Sequence, residues 1–176
     1  MQFFKILVFL ISLAVAGSAL SADAPKANMQ QIMLTKVNPQ SLAFWDITNN
    51  AMDDRGDVAA SKLKAADWAR LLTIGKALEE AGRLLATTSG VRAAAPGAKL
   101  QDEGSAGGSK VADVQRYLDA KPAVFRTHSL ALQKTGAEVV AAAEKRDVKQ
   151  LSALSGRLDE VCEDCHAIFW YPNQKK

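Results

Sequence analysis

Apolar residues along most of the chain recur at steps of three and four rather than in alternation, which is the pattern of amphipathic helices. No alternating stretch is long enough to predict a strand. The pattern predicts main helices over residues 28–52, 59–86, 122–146 and 148–171, with a short helix over 111–120. Because each long helix has an apolar face that needs a packing partner, the predicted fold class is all-α, a four-helix bundle with room for a cofactor.

Asn38 and Pro39 interrupt the first predicted helix. Asn is a favoured N-cap and Pro fits the first helical position, so the pair predicts a short leading helix followed by a longer one. A single helix kinked at Pro39 is the alternative, because proline removes a backbone hydrogen bond inside a helix.

Two glycines stand on the apolar face of the second predicted helix. Gly75 and Gly82 are one heptad apart, and each costs about 1 kcal/mol relative to Ala inside a helix. We therefore expect another element to come close at these points. A neighbouring helix is favoured over the plane of a cofactor.

The segment 87–110 separates the second and third main helices. It contains five glycines and one proline, and its apolar residues follow no period. This composition predicts a long, flexible Gly-rich connection rather than a tight helix–helix loop.

The N-terminus has the parts of a secretory signal peptide: Lys5, an apolar core, and small residues before the expected cleavage point. We expect cleavage after Ala22, with Ala19 as the other candidate, so that 1–22 is a cleaved signal peptide. A retained anchor is the alternative. Residues 23–176 then suffice for a single domain with its own core.

Charge and hydropathy argue against two classes of partner, nucleic acid and the membrane. The formal net charge is +3 at pH 7, and no basic stripe with interleaved aromatic residues is present, which argues against nucleic acid. No second hydrophobic stretch could span a bilayer, so stable membrane insertion is not expected.

Cys162, Glu163, Asp164, Cys165 and His166 form the motif that indicates a chemistry. Cys-x-x-Cys-His is the attachment signature of haem c. Thiols three residues apart lie on about one helical turn and can each add to a vinyl group of one porphyrin, and the adjacent His can bind the iron. The chain has two cysteines, so the motif uses both. We predict one covalent haem c, with thioether bonds at Cys162 and Cys165 and with His166 as the proximal iron ligand.

Three other interpretations of the motif are a redox dithiol, half of a zinc site and a structural disulfide. A redox dithiol expects a βαβ context, which the helical pattern lacks. Structural zinc takes four ligands, and beyond the motif the chain has only His128 to offer as a further N or S ligand. The export signal favours haem, because thioether attachment in bacteria is completed outside the cytoplasm.

An export signal, a helical bundle and a Cys-x-x-Cys-His on the last helix together resemble the cytochrome c prime family, including its low-spin, methionine-ligated relatives. Ordinary small c-type cytochromes carry the motif near the mature N-terminus, whereas here it ends at His166, close to the C-terminus. The resemblance covers residues 23–176 in helix order. It implies a periplasmic, antiparallel four-helix bundle around one haem that Cys162 and Cys165 hold, and a homodimer through the first two helices.

Two features depart from the family pattern. Many members have Arg or Lys four residues after the ligand His, where this chain has Trp170, although Phe169 matches the aromatic residue usual before that position. This weakens the case for the electropositive proximal environment linked to gas binding. The Gly-rich connection is the second departure, and it resembles a subgroup of periplasmic cytochromes whose first helix carries a Met, then Asn/Asp-Pro, then a Trp.

The sixth iron ligand decides the function that the resemblance implies. The family places the distal residue on the first helix, which singles out Met29 and Met33, four residues apart on one helical face. We predict Met33, which Ile32 and Leu34 flank. One alternative is that both methionines are flexible core fillers. Another is His128, although the family has no ligand on that helix and a core histidine is favoured.

A haem bound by His166 and Met33 is low-spin and suits electron transfer, and axial Met raises the reduction potential relative to a second His. The predicted function is a periplasmic electron carrier for redox partner proteins, not an enzyme, since no distal His–Arg pair or Ser-His-Asp grouping is present. The alternative is a five-coordinate haem that binds NO or CO. Glu163 and Asp164 are either solvated or orient a basic redox partner.

Overall fold

The computed structural model describes residues 28–172, so the predicted signal peptide at 1–22 lies outside the described residues. Between residues 28 and 172 the regular elements are helices, and the one isolated bridge pairs Met52 with Val58. The all-α fold class is confirmed. No helix in this part of the chain has the length and apolarity needed to cross a membrane.

The elements are α1 (Met29–Ile32), a π-helical turn (Met33–Val37), α2 (Asn38–Asn50), a 3-10 turn (Ala60–Lys62), α3 (Ala65–Thr87), α4 (Val111–Ala120), α5 (Pro122–Lys145) and α6 (Val148–Phe169).

The elements α1, the π turn and α2 form one continuous rod, called the N-terminal helix below. Asn38 has helical dihedral angles (φ −57°, ψ −47°), and its N–H donates to the carbonyl oxygen of Met33, five residues back. The prediction of an N-cap at Asn38 is therefore wrong, and the single-helix alternative is correct. Pro39 has no N–H to donate and its ring crowds the carbonyl four residues back, which the wider π turn relieves. The N-cap is Asn28, whose side chain accepts from the N–H of Gln31 at 2.8 Å.

Helices α3 and α5 approach each other so closely that their backbones nearly touch at three glycines. A Cβ atom added at Gly82 would lie 2.3 Å from the backbone nitrogen of Gln133, and one added at Gly136 would lie 2.3 Å from that of Glu79. A Cβ atom added at Gly75 would lie 2.8 Å from the backbone nitrogen of Val140, also in α5. The close element is thus a neighbouring helix, as the sequence favoured, and not the plane of a cofactor.

Gly82→Ala is expected to lower the free energy of unfolding by about 1–3 kcal/mol, because a methyl group there meets backbone that has no rotamer to change. Gly156 in α6 is the matched control: it is exposed, and a Cβ added there meets no atom within 4 Å. Gly156→Ala should stabilise by up to about 1 kcal/mol through helix propensity alone. Chemical denaturation of both variants measures the difference, and equal stabilities would contradict the close approach.

The segment between α3 and α4 contains turns but no helix, and it is packed against the rest of the protein. The side chains of Val91, Ala93 and Leu100 are buried in the core. The N–H groups of Met29 and Gln30 donate to the carbonyl oxygens of residues 92 and 93 at 2.7 and 2.9 Å. The sequence predicted a long, flexible connection, whereas these contacts hold the segment against the core. Isolated apolar residues between glycines leave no periodic pattern from which such contacts could be predicted.

Helix α6 begins as predicted and ends two residues early. Asp147 caps it, and its side chain accepts from the N–H of Gln150 at 3.0 Å. At the other end, the N–H groups of Trp170 and Tyr171 both donate to the carbonyl oxygen of His166, at 2.8 and 3.0 Å. The helix therefore closes just after the cysteine motif. Its buried residues are Leu151, Leu154, Leu158 and Phe169.

Candidate functional site

One cavity lies between the cysteine motif and the N-terminal helix. Its volume is about 370 Å³, within the roughly 300–1,000 Å³ of small-molecule and cofactor sites. Helix α6 contributes Cys162, Cys165 and His166 to its walls, and the N-terminal helix contributes Met33. The four residues that the sequence assigned to one site thus line one cavity.

The two cysteines are half-buried free thiols. Burial raises the pKa of Cys162 to about 11, with Asp159 adding to the shift, and burial raises the pKa of Cys165 to about 12. Both thiols are therefore protonated near neutral pH. A redox dithiol needs a thiolate with a lowered pKa, so the environment of this pair disfavours thiol–disulfide exchange.

His166 follows Cys165 directly on α6 and is half-buried at the cavity wall. Burial lowers the pKa of its imidazole, and the nearby Glu163 opposes that shift only in part. The ring is thus held neutral, which is the form that binds a metal ion. Two aromatic rings lie against it: the centroid of Trp170 is 5.5 Å away and that of Tyr171 is 6.0 Å away.

The two candidate methionines lie in different surroundings. Met33 is half-buried and lines the cavity, at the point where the π turn begins. Met29 is only 4% exposed and belongs to the hydrophobic core, and it is not among the cavity-lining residues. Single π turns inside α-helices occur frequently at functional sites. Of the two, Met33 is the one that lines the cavity.

His128 and Trp45 also line the cavity, from α5 and α2. His128 is half-buried, with its ring centroid 6.5 Å from that of Phe169. The sequence favoured a core or interface histidine at this position. Because His128 lines the cavity, it is an alternative to Met33 as a ligand. The indole of Trp45 donates to the carbonyl oxygen of Ser155 at 3.1 Å, whereas Trp68 is buried in the core and does not line the cavity.

Ser41 is a cavity residue that the sequence analysis missed. It is 3% exposed, and its hydroxyl has no hydrogen-bond partner among the described residues. A buried unpaired hydroxyl costs about 1–3 kcal/mol, so this group indicates a polar atom on whatever the cavity binds. Met33, Val37 and Ser41 follow one another at steps of four, which was the available signal for a shared face.

The charged residues at the cavity are acidic. Asp159 and Glu163 line it, and no Lys or Arg is among the lining residues that the structure describes. Glu163 accepts a hydrogen bond from the hydroxyl of Tyr171, and burial together with this bond raises the pKa of Tyr171 to about 12. Asp164 is exposed. Of the two acidic residues inside the motif, Glu163 therefore belongs to the site and Asp164 to the solvated surface.

The zinc interpretation lacks a ligand set in the described part of the chain. Between residues 28 and 172, no three His, Cys, Asp or Glu side chains are grouped so as to hold a metal ion, whereas structural zinc takes four such ligands. The residues present fit a haem: two thiols beside a neutral imidazole, a thioether side chain on another wall, several apolar neighbours and an unpaired hydroxyl.

No family model, curated protein or solved structure matches the chain. What the site does is therefore inferred from its own residues.

Proposed function

We propose that the protein is a periplasmic c-type cytochrome that carries one haem c and transfers electrons between redox partner proteins. In this proposal Cys162 and Cys165 hold the porphyrin through thioether bonds, and His166 and Met33 are the axial iron ligands. The observation that supports it is the cavity of about 370 Å³ that these four residues line together. Residues 1–22 are then the export signal that brings the chain to the compartment where the haem is attached.

The finer fold in this proposal is an antiparallel four-helix bundle of the cytochrome c prime kind. Its four helices are the N-terminal helix, α3, α5 and α6, with α4 as a short addition before α5. Contacts between the N-terminal helix and α6, such as the bond from Trp45 to Ser155, support the pairing of the first helix with the last. The cavity is then the space between facing helices in which bundle proteins hold cofactors.

The haem supplies a one-electron change at iron, and the chain supplies a fixed environment for that change. Cys162 and Cys165, on about one helical turn, would hold the porphyrin through two thioether bonds. The neutral imidazole of His166 stays available as a ligand because burial lowers its pKa. A methionine sulfur raises the reduction potential relative to a second histidine. Leu132 and Val37 contribute apolar side chains to the cavity wall, which would suit the faces of the porphyrin.

A redox partner with a basic docking face suits this site. Asp159 and Glu163 are four residues apart on α6 and both line the cavity. No Lys or Arg among the described lining residues offsets them. Charge complementarity of this kind raises the rate of encounter and sets the orientation of the partner.

The unpaired hydroxyl of Ser41 supports a second candidate function. A hydrogen-bond donor in the distal pocket is one of the features that decide whether a haem binds a small gas. If Met33 did not bind the iron, the site would be a five-coordinate haem that takes NO or CO, with Ser41 beside the bound gas.

Absorption spectra and the intact mass of the exported, purified protein test the proposal. We expect a Soret band, a mass that exceeds the polypeptide by one haem, and a methionine–iron charge-transfer band in the oxidised form. The reduced form should not bind CO readily, because the sixth position is taken. Rapid CO binding by the wild-type protein would favour the second candidate, and a bare polypeptide mass without a Soret band would contradict both.

A further inference from the structure

The two features that depart from the cytochrome c prime pattern are joined by hydrogen bonds. The indole N–H of Trp170 donates to Oδ2 of Asp102 at 2.9 Å, and the hydroxyl of Ser109 donates to the carbonyl oxygen of Trp170. Asp102 and Ser109 both belong to the segment between α3 and α4. That segment is therefore fastened to the end of α6, directly after the cysteine motif.

Trp170 connects this fastening to the iron-binding histidine of the proposed site. The indole ring of Trp170 lies against the imidazole of His166, with centroids 5.5 Å apart and planes inclined by 58°. The backbone N–H of Trp170 donates to the carbonyl oxygen of His166 at 2.8 Å. Trp170 also lines the cavity. A change in the position of the Trp170 indole would therefore alter the packing of the His166 imidazole.

The negative charge of the Asp102 carboxylate has one hydrogen-bond donor and no ion-pair partner among the described residues. Its Oδ1 is buried and has no hydrogen-bond partner in the part of the chain that the structure describes. Its Oδ2 accepts from Trp170, and between residues 28 and 172 Asp102 takes part in none of the ion pairs. A negative charge without a nearby cation acts over a longer range in a protein interior than at the surface, where solvent screens it.

We infer that Asp102 is a positioning residue for the proximal side of the haem site, and this inference rests on the proposed function. Through Trp170 it fixes the orientation of His166, and its negative charge stabilises the oxidised, more positive iron. Outer partners of metal-binding histidines orient the ligand and tune the metal in this way. The segment between α3 and α4 thereby sets the reduction potential, which α6 alone would not determine.

Asp102→Asn in the haem-loaded protein tests the inference, because Asn keeps the acceptor for Trp170 and removes the charge. We expect the reduction potential, measured by spectroelectrochemical titration, to rise. The shift should be on the order of tenfold in the equilibrium constant for reduction, about 59 mV for a one-electron couple. Asp164→Asn is the matched control: this carboxylate lies inside the motif but is exposed, so solvent screens it and the shift should be clearly smaller.

Trp170→Phe is the second variant, and it keeps an aromatic ring while removing the indole donor. Asp102 then loses its partner and turns to solvent, so we expect the reduction potential to rise here too, with faster amide hydrogen exchange across residues 101–109.

A reduction potential of Asp102→Asn that is no higher than that of Asp164→Asn overturns the inference. If Asp102→Asn does not take up haem, an unchanged potential in Trp170→Phe overturns it, and loss of haem from both variants would indicate a purely structural role and overturn it as well. Absence of haem from the wild type would instead refute the proposed function.

Discussion

Met33→Ala is expected to convert the haem-loaded protein from low-spin to high-spin and to let its reduced form bind CO. Met33 lines the cavity, and no other methionine in the described part of the chain does so. Alanine has no atom that can replace the thioether sulfur, so the sixth iron position opens. The oxidised spectrum should lose its methionine–iron charge-transfer band, and a CO titration of the reduced variant should saturate where the wild type shows little change.

Met29→Ala is the matched control for Met33. Met29 lies four residues earlier on the same helix but is buried in the core away from the cavity. We expect it to lose about 2–5 kcal/mol of stability, as large-to-small core substitutions do, and to keep the low-spin spectrum. His128→Ala completes the set, because His128 lines the same cavity. A low-spin Met33→Ala together with a high-spin His128→Ala would transfer the sixth ligand to His128.

The double variant Cys162→Ala and Cys165→Ala is expected to abolish covalent haem attachment. The chain has two cysteines, so no other thiol can add to a porphyrin vinyl group. The intact mass of the exported variant should equal that of the polypeptide, and denaturation in acidified organic solvent should release any haem that remains bound through His166. In the wild type the haem should stay with the protein under the same treatment.

Val161→Ala is the control for this loss. Val161 lines the cavity next to Cys162, so the variant disturbs the packing around the site without removing a sulfur atom. We expect it to retain the haem in full. Single replacement of either cysteine should leave one thioether bond and an intermediate yield. Full covalent haem in the double variant would refute attachment at the motif.

Features encoded by neighbouring residues could be predicted from the sequence. The helices follow from apolar residues at steps of three and four. Gly75 and Gly82 predicted a close approach, although only the structure identifies α5 as the partner. The cysteine motif is local in the same sense, because the three residues proposed to hold the haem lie within about one turn of a single helix.

Features that depend on distant residues could not be predicted. Trp170 and Asp102 are 68 positions apart, and nothing in either surrounding sequence indicates the other. Ser41 stands out only because its buried hydroxyl has no hydrogen-bond partner between residues 28 and 172, and recognising this requires the positions of all its neighbours. The π turn before Pro39 was also missed, because a proline after an asparagine is equally typical of a new helix start.

That π turn has a consequence for how the site could change over generations. A π turn holds one residue more than the α-helix would need there, and each residue of an α-helix corresponds to a rotation of about 100°. Because the turn absorbs this extra residue locally, deleting a single codon within residues 34–37 would restore regular α-helical winding, and the helix on each side of the turn would keep its facing. In the proposed cytochrome, the first helix could therefore lose this residue over evolution without turning Met33 away from the iron.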